Sequence, residues 1–294
     1  MISYVKRQDL DIEKYDDCIE KSVQSRIYAF SWYLDIVADN WDVLVLEDYE
    51  AVMPIPWRKK YGIKYVSQPH FCQQLGVFSK GIITEELQKK MLKKIPKKFV
   101  KITLNLNSYS FFLSKMLERK NYILLIKESY EENYKDFNKN RKRVLRKIKD
   151  SSMYIDNVEF NTLLEIAKKD YNHLIYKDSD YKKLNKLISI SQNSDTGFMK
   201  GVYNENDQVV GGVFFLKSRS RLIYLFSVMT TEGKKLNAAT FLISHVLKKY
   251  QNKNYILDFE GSMNKGIANF FRSFGAKEEV YKELKTNAIQ RIIF

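Results

Sequence analysis

The feature that most narrows the fold is a run of three apolar stretches, residues 197–203, 209–217 and 222–228, separated only by short polar turns. Asn204-Glu-Asn-Asp207 and Ser218-Arg-Ser220 form those turns, and stretches of this length and spacing read as an antiparallel meander. After the meander the pattern alternates: a helix over 235–250, a strand over 255–259, a helix over 265–273, a strand over 277–284 and a last strand at 289–293. Three helical runs precede it, over 134–149, 161–173 and 181–191, each with apolar residues three and four apart. Helices, a meander and then alternating strands and helices specify an α/β class with a mixed sheet flanked by helices.

The first half gives a weaker version of the same order. Helices are expected at 12–24 and 31–38, where Trp32, Leu34, Ile36 and Val37 make an apolar face. Strands over 42–47 and 51–57 flank Asp48-Tyr-Glu50, and the alternation of Val52, Pro54 and Pro56 predicts an edge position for the second. An extended run ends in Gln68-Pro-His-Phe-Cys-Gln-Gln-Leu-Gly76; then come a helix at 85–94, a strand at 100–106, a helix at 109–119 and a strand at 122–126. A chain of 294 residues exceeds the usual single-domain size of ~100–150, and the polar stretch 127–135 is the best boundary. Two lobes are therefore expected, 1–127 and 128–294.

With 45% apolar and 14% aromatic residues the chain has enough apolar surface for real cores, which excludes a disordered class. The formal charge of +15 favours polyanionic partners such as RNA, cofactor phosphates or anionic lipid, although an abundance of Lys, Asn, Ile and Tyr is also a compositional habit. No window approaches ~20 uninterrupted apolar residues, and the charged start lacks a secretory pattern, so no transmembrane segment and a cytoplasmic location are expected. Cys18 and Cys72 are too far apart for a metal or redox pair and are read as buried thiols. His70, His173 and His245 share no ligand spacing, so no metal site is expected.

Four segments could carry chemistry. In Tyr255-Ile-Leu-Asp-Phe-Glu-Gly-Ser262 an apolar strand ends in Glu260-Gly261-Ser262, and ligands of open α/β sheets bind outside the carboxyl ends of strands. The alternative is that Glu260 or Ser262 caps the next helix and Gly261 allows a tight turn. The helix at 134–149 carries Arg141 and Arg143 among many basic residues, suited to phosphate or carboxylate groups, or else a solvated face. Gln73 and Gln74 offer amides to a substrate or satisfy their own loop. The passage Ser227-Val-Met-Thr-Thr-Glu-Gly-Lys-Lys-Leu-Asn-Ala-Ala239 leads from a strand into a long helix, where a phosphate could sit.

The element order of the second half, the Phe259-Glu-Gly261 turn followed by a helix and Phe274-Gly-Ala276, and the Asn-x-Arg-like helix containing Arg141 together resemble the Fem-like branch of the GNAT superfamily and the related cellulose-biosynthesis-type acetyltransferases. The resemblance implies two GNAT-like lobes, the C-terminal one clearer, with its sheet splayed between the fourth and fifth strands. It implies an N-acyltransferase that passes an acetyl or aminoacyl group from a thioester or tRNA ester to a primary amine, on a small molecule or a cell-envelope (peptidoglycan) precursor. On that reading Glu260 is the base, and Tyr224 or Tyr281 serves the leaving group. Ser227, Val228, Lys234, Lys235, Asn237 and Ala238 meet the donor. Gln73, Gln74, Arg141, Arg143, Ser262 and Arg272 bind the substrate. The donor, acetyl-CoA or aminoacyl-tRNA, stays open: the usual Gly-rich, Arg-bearing loop is reduced to Gly233 with Glu232 beside it, and no heptad pattern supports the helical arm of some Fem enzymes. Two rivals remain, an acetyl-CoA enzyme acting on a sugar or small amine, and a non-catalytic groove for RNA or an envelope precursor.

Overall fold

The computed structural model describes residues 1–113, 116–171 and 176–287. The expected last strand at 289–293, and His173, lie outside the described residues. The chain divides into two compact units, Met1–Arg119 with Val280–Phe294, and Lys120–Glu279. The division therefore falls within strands, at 119/120 and 279/280, rather than in the polar stretch 127–135, and the end of the chain returns to the first unit.

The first half runs β1 (Ile2–Lys6), α1 (Ile12–Lys21), α2 (Ser31–Val37), β2 (Asn40–Leu46), β3 (Ala51–Lys60), β4 (Ile63–Ser67), β5 (Phe78–Ser79), α3 (Glu85–Lys93), β6 (Phe99–Leu106) and β7 (Met116–Leu125). The second half runs α4 (Tyr130–Asp136), α5 (Lys139–Lys147), β8 (Tyr154–Asp156), α6 (Phe160–Asp170), α7 (Asp178–Asn193), β9 (Gly197–Tyr203), β10 (Val209–Ser218), β11 (Arg221–Met229), α8 (Thr231–Leu236), α9 (Ala238–Tyr250), β12 (Ile256–Asp258), α10 (Lys265–Arg272) and β13 (Lys277–Asn287). Short polar side chains set many of the helix starts. Asp11, Thr84, Ser129, Asn138, Thr230 and Asn264 each accept a backbone N–H of the helix they precede.

Both units repeat one plan. In the first, β1, β2, β3 and β4 pair antiparallel, and the chain crosses over through α3 to β6, which lies parallel to β4. In the second, β8, β9, β10 and β11 pair antiparallel, and α8 and α9 lead over to β12, parallel to β11. The next strand in each sheet comes from the other half of the sequence. β6 takes β13 as its antiparallel neighbour, whereas β12 takes β7. In the second unit, α9 buries Leu242, Ile243, Val246 and Leu247 in a core that also holds Val213, Phe215 and Tyr224 from the sheet. The class is thus a mixed α/β fold, each unit a mixed sheet flanked by helices.

Several local expectations change. The stretch 51–57 is not an edge: β3 pairs with β2 along one side, and with β5 and β4 on the other. Pro54 and Pro56 fall between the β5 register at Ala51 and Val52 and the β4 register at Trp57, so their missing N–H groups remove no ladder bond there. Within the segment 109–119, expected to be a helix, the described residues are a turn at 109–110, irregular backbone at 111–113 and, from Met116, the start of β7. The single helix expected over 134–149 is two helices, broken where Asn138 caps α5. The helix expected from 235 is preceded by the short α8, and Asn237 at φ +60 divides the two.

Candidate functional site

In the second unit β11 and β12 pair at only three positions, Arg221–Ile223 against Ile256–Asp258. Beyond them the Phe259 N–H donates to the Tyr122 carbonyl of β7, while β11 runs on to Met229. The two parallel strands therefore part, and among the described residues no strand pairs with Tyr224–Met229 on that side. A bulge lies where they separate: Phe214 pairs with Phe226 and Phe215 with Tyr224, which leaves Leu225 as an extra residue. Past the bulge, the Met229 N–H donates to the Tyr171 hydroxyl at 3.1 Å, and that hydroxyl donates to the Met229 carbonyl at 3.2 Å.

Aromatic rings fill the base of the divergence. Phe259 stacks on Phe271 at 4.4 Å between centroids, and Tyr224 meets the two rings at 5.9 and 6.5 Å. Burial pushes the Tyr224 phenol up to about 12, against a hydrogen bond with Ser227 that acts in the opposite direction. Tyr224 therefore stays protonated at neutral pH.

Glu260 sits on a turn that the chain builds with care. Glu260 and Gly261 have φ of +60 and +67, a left-handed pair that costs a non-glycine residue about 1 kcal/mol or more. At Gly261 a Cβ would collide with the Lys120 carbonyl oxygen and lie 2.7 Å from the Asn121 Cα. Asp258 offsets the strain, accepting the Glu260 N–H at 3.0 Å. The Asp258 carboxylate is itself fixed by Arg221 Nη1 at 2.6 Å and Asn121 Nδ2 at 2.9 Å, while Arg221 Nη2 holds Glu279 at 2.6 Å. This ion network ties β11, β12, β7 and β13 together. Glu260 as a residue is half-buried, but its carboxyl group is desolvated, and that burial raises its pKa to about 8. A carboxyl titrating there can exchange a proton near neutrality.

The other expected site residues fall in different settings. Ser262 accepts the Asn264 N–H at 3.0 Å, and Asn264 rather than Glu260 or Ser262 caps α10. Arg141 is 5% exposed, with its guanidinium 4.6 Å from the rings of both Phe270 and Phe274. Its Nε donates to Ser273 at 2.9 Å and its Nη1 to Thr240, no carboxylate among the described residues pairs with it, and burial lowers its pKa to about 10. Arg143 is exposed and bonds Asn140 at 3.0 Å. Arg272 is engaged by Glu278 and by the Tyr122 hydroxyl.

In the passage expected to meet the donor, Val228 and Ala238 are buried, Ser227 is half-buried, and Lys234 lies over the Tyr171 ring at 4.5 Å. Lys235 is exposed, and its carbonyl accepts from Asn237 Nδ2 at 3.3 Å. Thr230 accepts the Gly233 N–H at 2.9 Å, and Glu232 accepts from Asn204 at 2.9 Å. A cavity of ≈ 590 Å³ beside them is lined by Glu165, Asp170 and Glu232, with Lys169 as its one cation.

Gln73, Gln74 and Tyr281 belong to the first unit. Gln74 is fully buried, donating to Gln73 Oε1 at 2.7 Å and accepting the Ser108 N–H at 3.0 Å, so it serves the fold of its own loop. The Gln73 Nε2 is buried with no hydrogen-bond partner among the described residues. Tyr281 is buried in β13. Sequence reasoning missed Asp258, Arg221 and Tyr171. The spacing of Asp258 two residues before Glu260 is an Asx-turn signal that was available, whereas nothing local ties Tyr171 to Met229, 58 residues away.

The geometry has close counterparts among solved structures. FemX superposes with a TM-score of 0.67 at 9% identity, covering 93% of this chain and 96% of that one. A tandem GNAT protein from the clavulanic acid biosynthesis pathway matches with a TM-score of 0.55 at 8% identity, over 98% of this chain and 99% of that one. L-PGS from Bacillus licheniformis matches with a TM-score of 0.53 at 11% identity, over 96% and 95%. No model of a protein family matches the chain, and no curated protein does. The fold is the two-lobed mixed α/β fold that these structures share. More particularly, this chain is similar along nearly its whole length to FemX and to tandem GNAT proteins.

Proposed function

We propose that this chain is an N-acyltransferase in which Glu260 takes the proton of an attacking primary amine. The observation that carries the proposal is the desolvated Glu260 carboxyl, raised to about 8 on a strained turn where β11 and β12 part. The amine nitrogen attacks the acyl carbonyl directly, the bond to the donor oxygen or sulfur breaks, and the amine proton passes to Glu260, directly or through water, and from there to the leaving atom. Holding both reactants together supplies much of the rate, up to about 7–11 kcal/mol. Tyr224, neutral below about 12 and in ring contact with Phe259, supplies a hydrogen bond to the leaving group in preference to Tyr281.

For the donor we favour an aminoacyl-tRNA ester over acetyl-CoA. Two features support this choice. The start of α8 is capped by Thr230 of the chain itself, and the adjoining cavity carries Glu165, Asp170 and Glu232, which repel a pyrophosphate. The acceptor is a primary amine, on a small molecule or an envelope precursor such as one for peptidoglycan, in the cytoplasm where charged tRNA is made.

The test combines calorimetric binding of CoA and of charged tRNA with acyl transfer to a panel of amines. Charged tRNA is expected to bind and CoA to bind weakly. Glu260→Gln is expected to lose about 10²-fold or more in turnover while folding normally. Near-normal turnover in that variant would remove Glu260 from the reaction, and RNA binding without transfer from any donor would favour a non-catalytic groove.

A further inference from the structure

A cavity of ≈ 440 Å³ in the second unit opens between α4, α5 and α9, and its size suits a small ligand or a single nucleotide. Arg146, Lys149 and Lys248 reach its lining, and no acidic residue does. The two other cavities described in this chain differ: one carries Asp35, Asp39 and Asp42 with its cations, the other Glu165, Asp170 and Glu232. Neither Arg146 nor Lys149 makes an ion pair or a side-chain hydrogen bond with any described residue. Lys248 only overlies the Tyr130 ring, at 4.8 Å. Three exposed cations thus line one cavity with no counter-ion among the described residues, a setting that attracts an anion.

The same cavity has an apolar wall. Leu145 and Ile148 contribute to it, and Phe241 of α9 stands half-buried in it. The rings of Tyr130 and Tyr134 are already covered by Lys248 and Lys142, at 4.8 and 5.5 Å. Phe241 packs against the core and is half-buried, it has no ring or cation contact among the described residues, and the exposed part of its side chain lines the cavity. A stacking ring beside cations that track phosphates is the chemistry that recognises single-stranded nucleic acid.

We propose that this cavity binds a single-stranded RNA segment, with one base on Phe241 and the flanking phosphates on Arg146, Lys149 and Lys248. The assignment goes beyond the transfer reaction, because it rests on this lining alone and holds whichever donor the enzyme uses. Guanidinium and ammonium groups hold the phosphate oxygens, while the unpaired base buries its face against the ring.

Fluorescence anisotropy of a labelled ten-nucleotide RNA, titrated with the full chain at several salt concentrations, tests it. The triple variant Arg146→Gln/Lys149→Gln/Lys248→Gln is expected to bind on the order of tenfold more weakly, and its salt slope to fall by about 2, near 0.7 for each lost phosphate contact. Phe241→Leu is expected to weaken binding about fivefold or more at an unchanged salt slope, and Phe241→Tyr to restore it. A control triple on the first unit, Lys93→Gln/Lys94→Gln/Lys97→Gln, is expected to bind as the wild type does. Equal losses in the two triples, or no loss in Phe241→Leu, would show diffuse attraction and overturn the site. Vesicles of phosphatidylglycerol and phosphatidylcholine form the second arm: retention of RNA binding by the site triple, with loss of vesicle binding, would assign the cavity to a lipid headgroup instead. Glu260→Gln should bind the RNA normally, which separates failure of this site from failure of the transfer chemistry.

Discussion

The Asp258 carboxylate accepts the backbone N–H of Glu260 at 3.0 Å while Arg221 holds its other oxygen at 2.6 Å, so the residue that carries the raised pKa is aimed by a buried ion pair two positions earlier. The strand end and the candidate base are therefore one mechanical unit.

The raised pKa of Glu260 has a consequence for stability. Its folded value of about 8 lies above its ordinary 4.5, so the fold favours the protonated form. The contribution is fully present below about pH 4.5 and is lost as pH rises through about 8, because the folded chain holds a proton that the unfolded chain has released. Thermal unfolding of the wild type and Glu260→Gln, followed by circular dichroism from pH 5 to 9, is expected to show the wild type falling progressively relative to the variant. A pH-independent difference between them would mean that the carboxyl is not desolvated.

Gly261 and Gly62 both have positive φ, +67 and +80, yet their surroundings differ. At Gly62 a Cβ meets nothing within 4 Å, so Gly62→Ala is expected to cost about 1 kcal/mol for its backbone alone. At Gly261 the added carbon strikes β7, and Gly261→Ala is expected to cost about 3 kcal/mol or more. Urea denaturation compares them directly; equal midpoints would refute the close approach of the turn to β7.

Arg141 and Arg143 lie two positions apart and have separate fates. Arg141→Lys removes the fork to Ser273 and Thr240 and the planar group between Phe270 and Phe274, and is expected to cost about 2 kcal/mol. Arg143→Gln on the exposed face should change stability by less than about 0.5 kcal/mol. If Arg141→Lys left stability untouched and weakened substrate binding instead, the guanidinium would be a ligand contact rather than a structural one.

Much of the fold was legible along the chain. The meander 197–228 and the strands and helices after it fall within a few residues of β9 to β13, because apolar period, polar turns and capping side chains are all local signals. The segment 109–119 failed for a physical reason. Its apolar residues fit a helical stripe, but its last residues, Met116–Arg119, open β7, a strand whose neighbours in the sheet, β12 and β13, come more than a hundred residues later. The site was legible in the same proportion: Glu260 and Gly261 announce a turn at a strand end, whereas the buried setting of Arg141 and the bond between Tyr171 and Met229 come from elements distant in sequence.

By itself, the amino-acid order determined where most strands and helices fall, that two lobes exist, and that a Glu-Gly turn follows the fifth strand of the second sheet. Only the tertiary structure decided that β7 and β13 complete each other's sheets, that Glu260 titrates near 8, and that Arg141 is enclosed between two rings. The first group follows from side-chain chemistry acting over a few residues. The second depends on desolvation and strand pairing, which are properties of the neighbours a residue acquires when remote parts of the chain pack together.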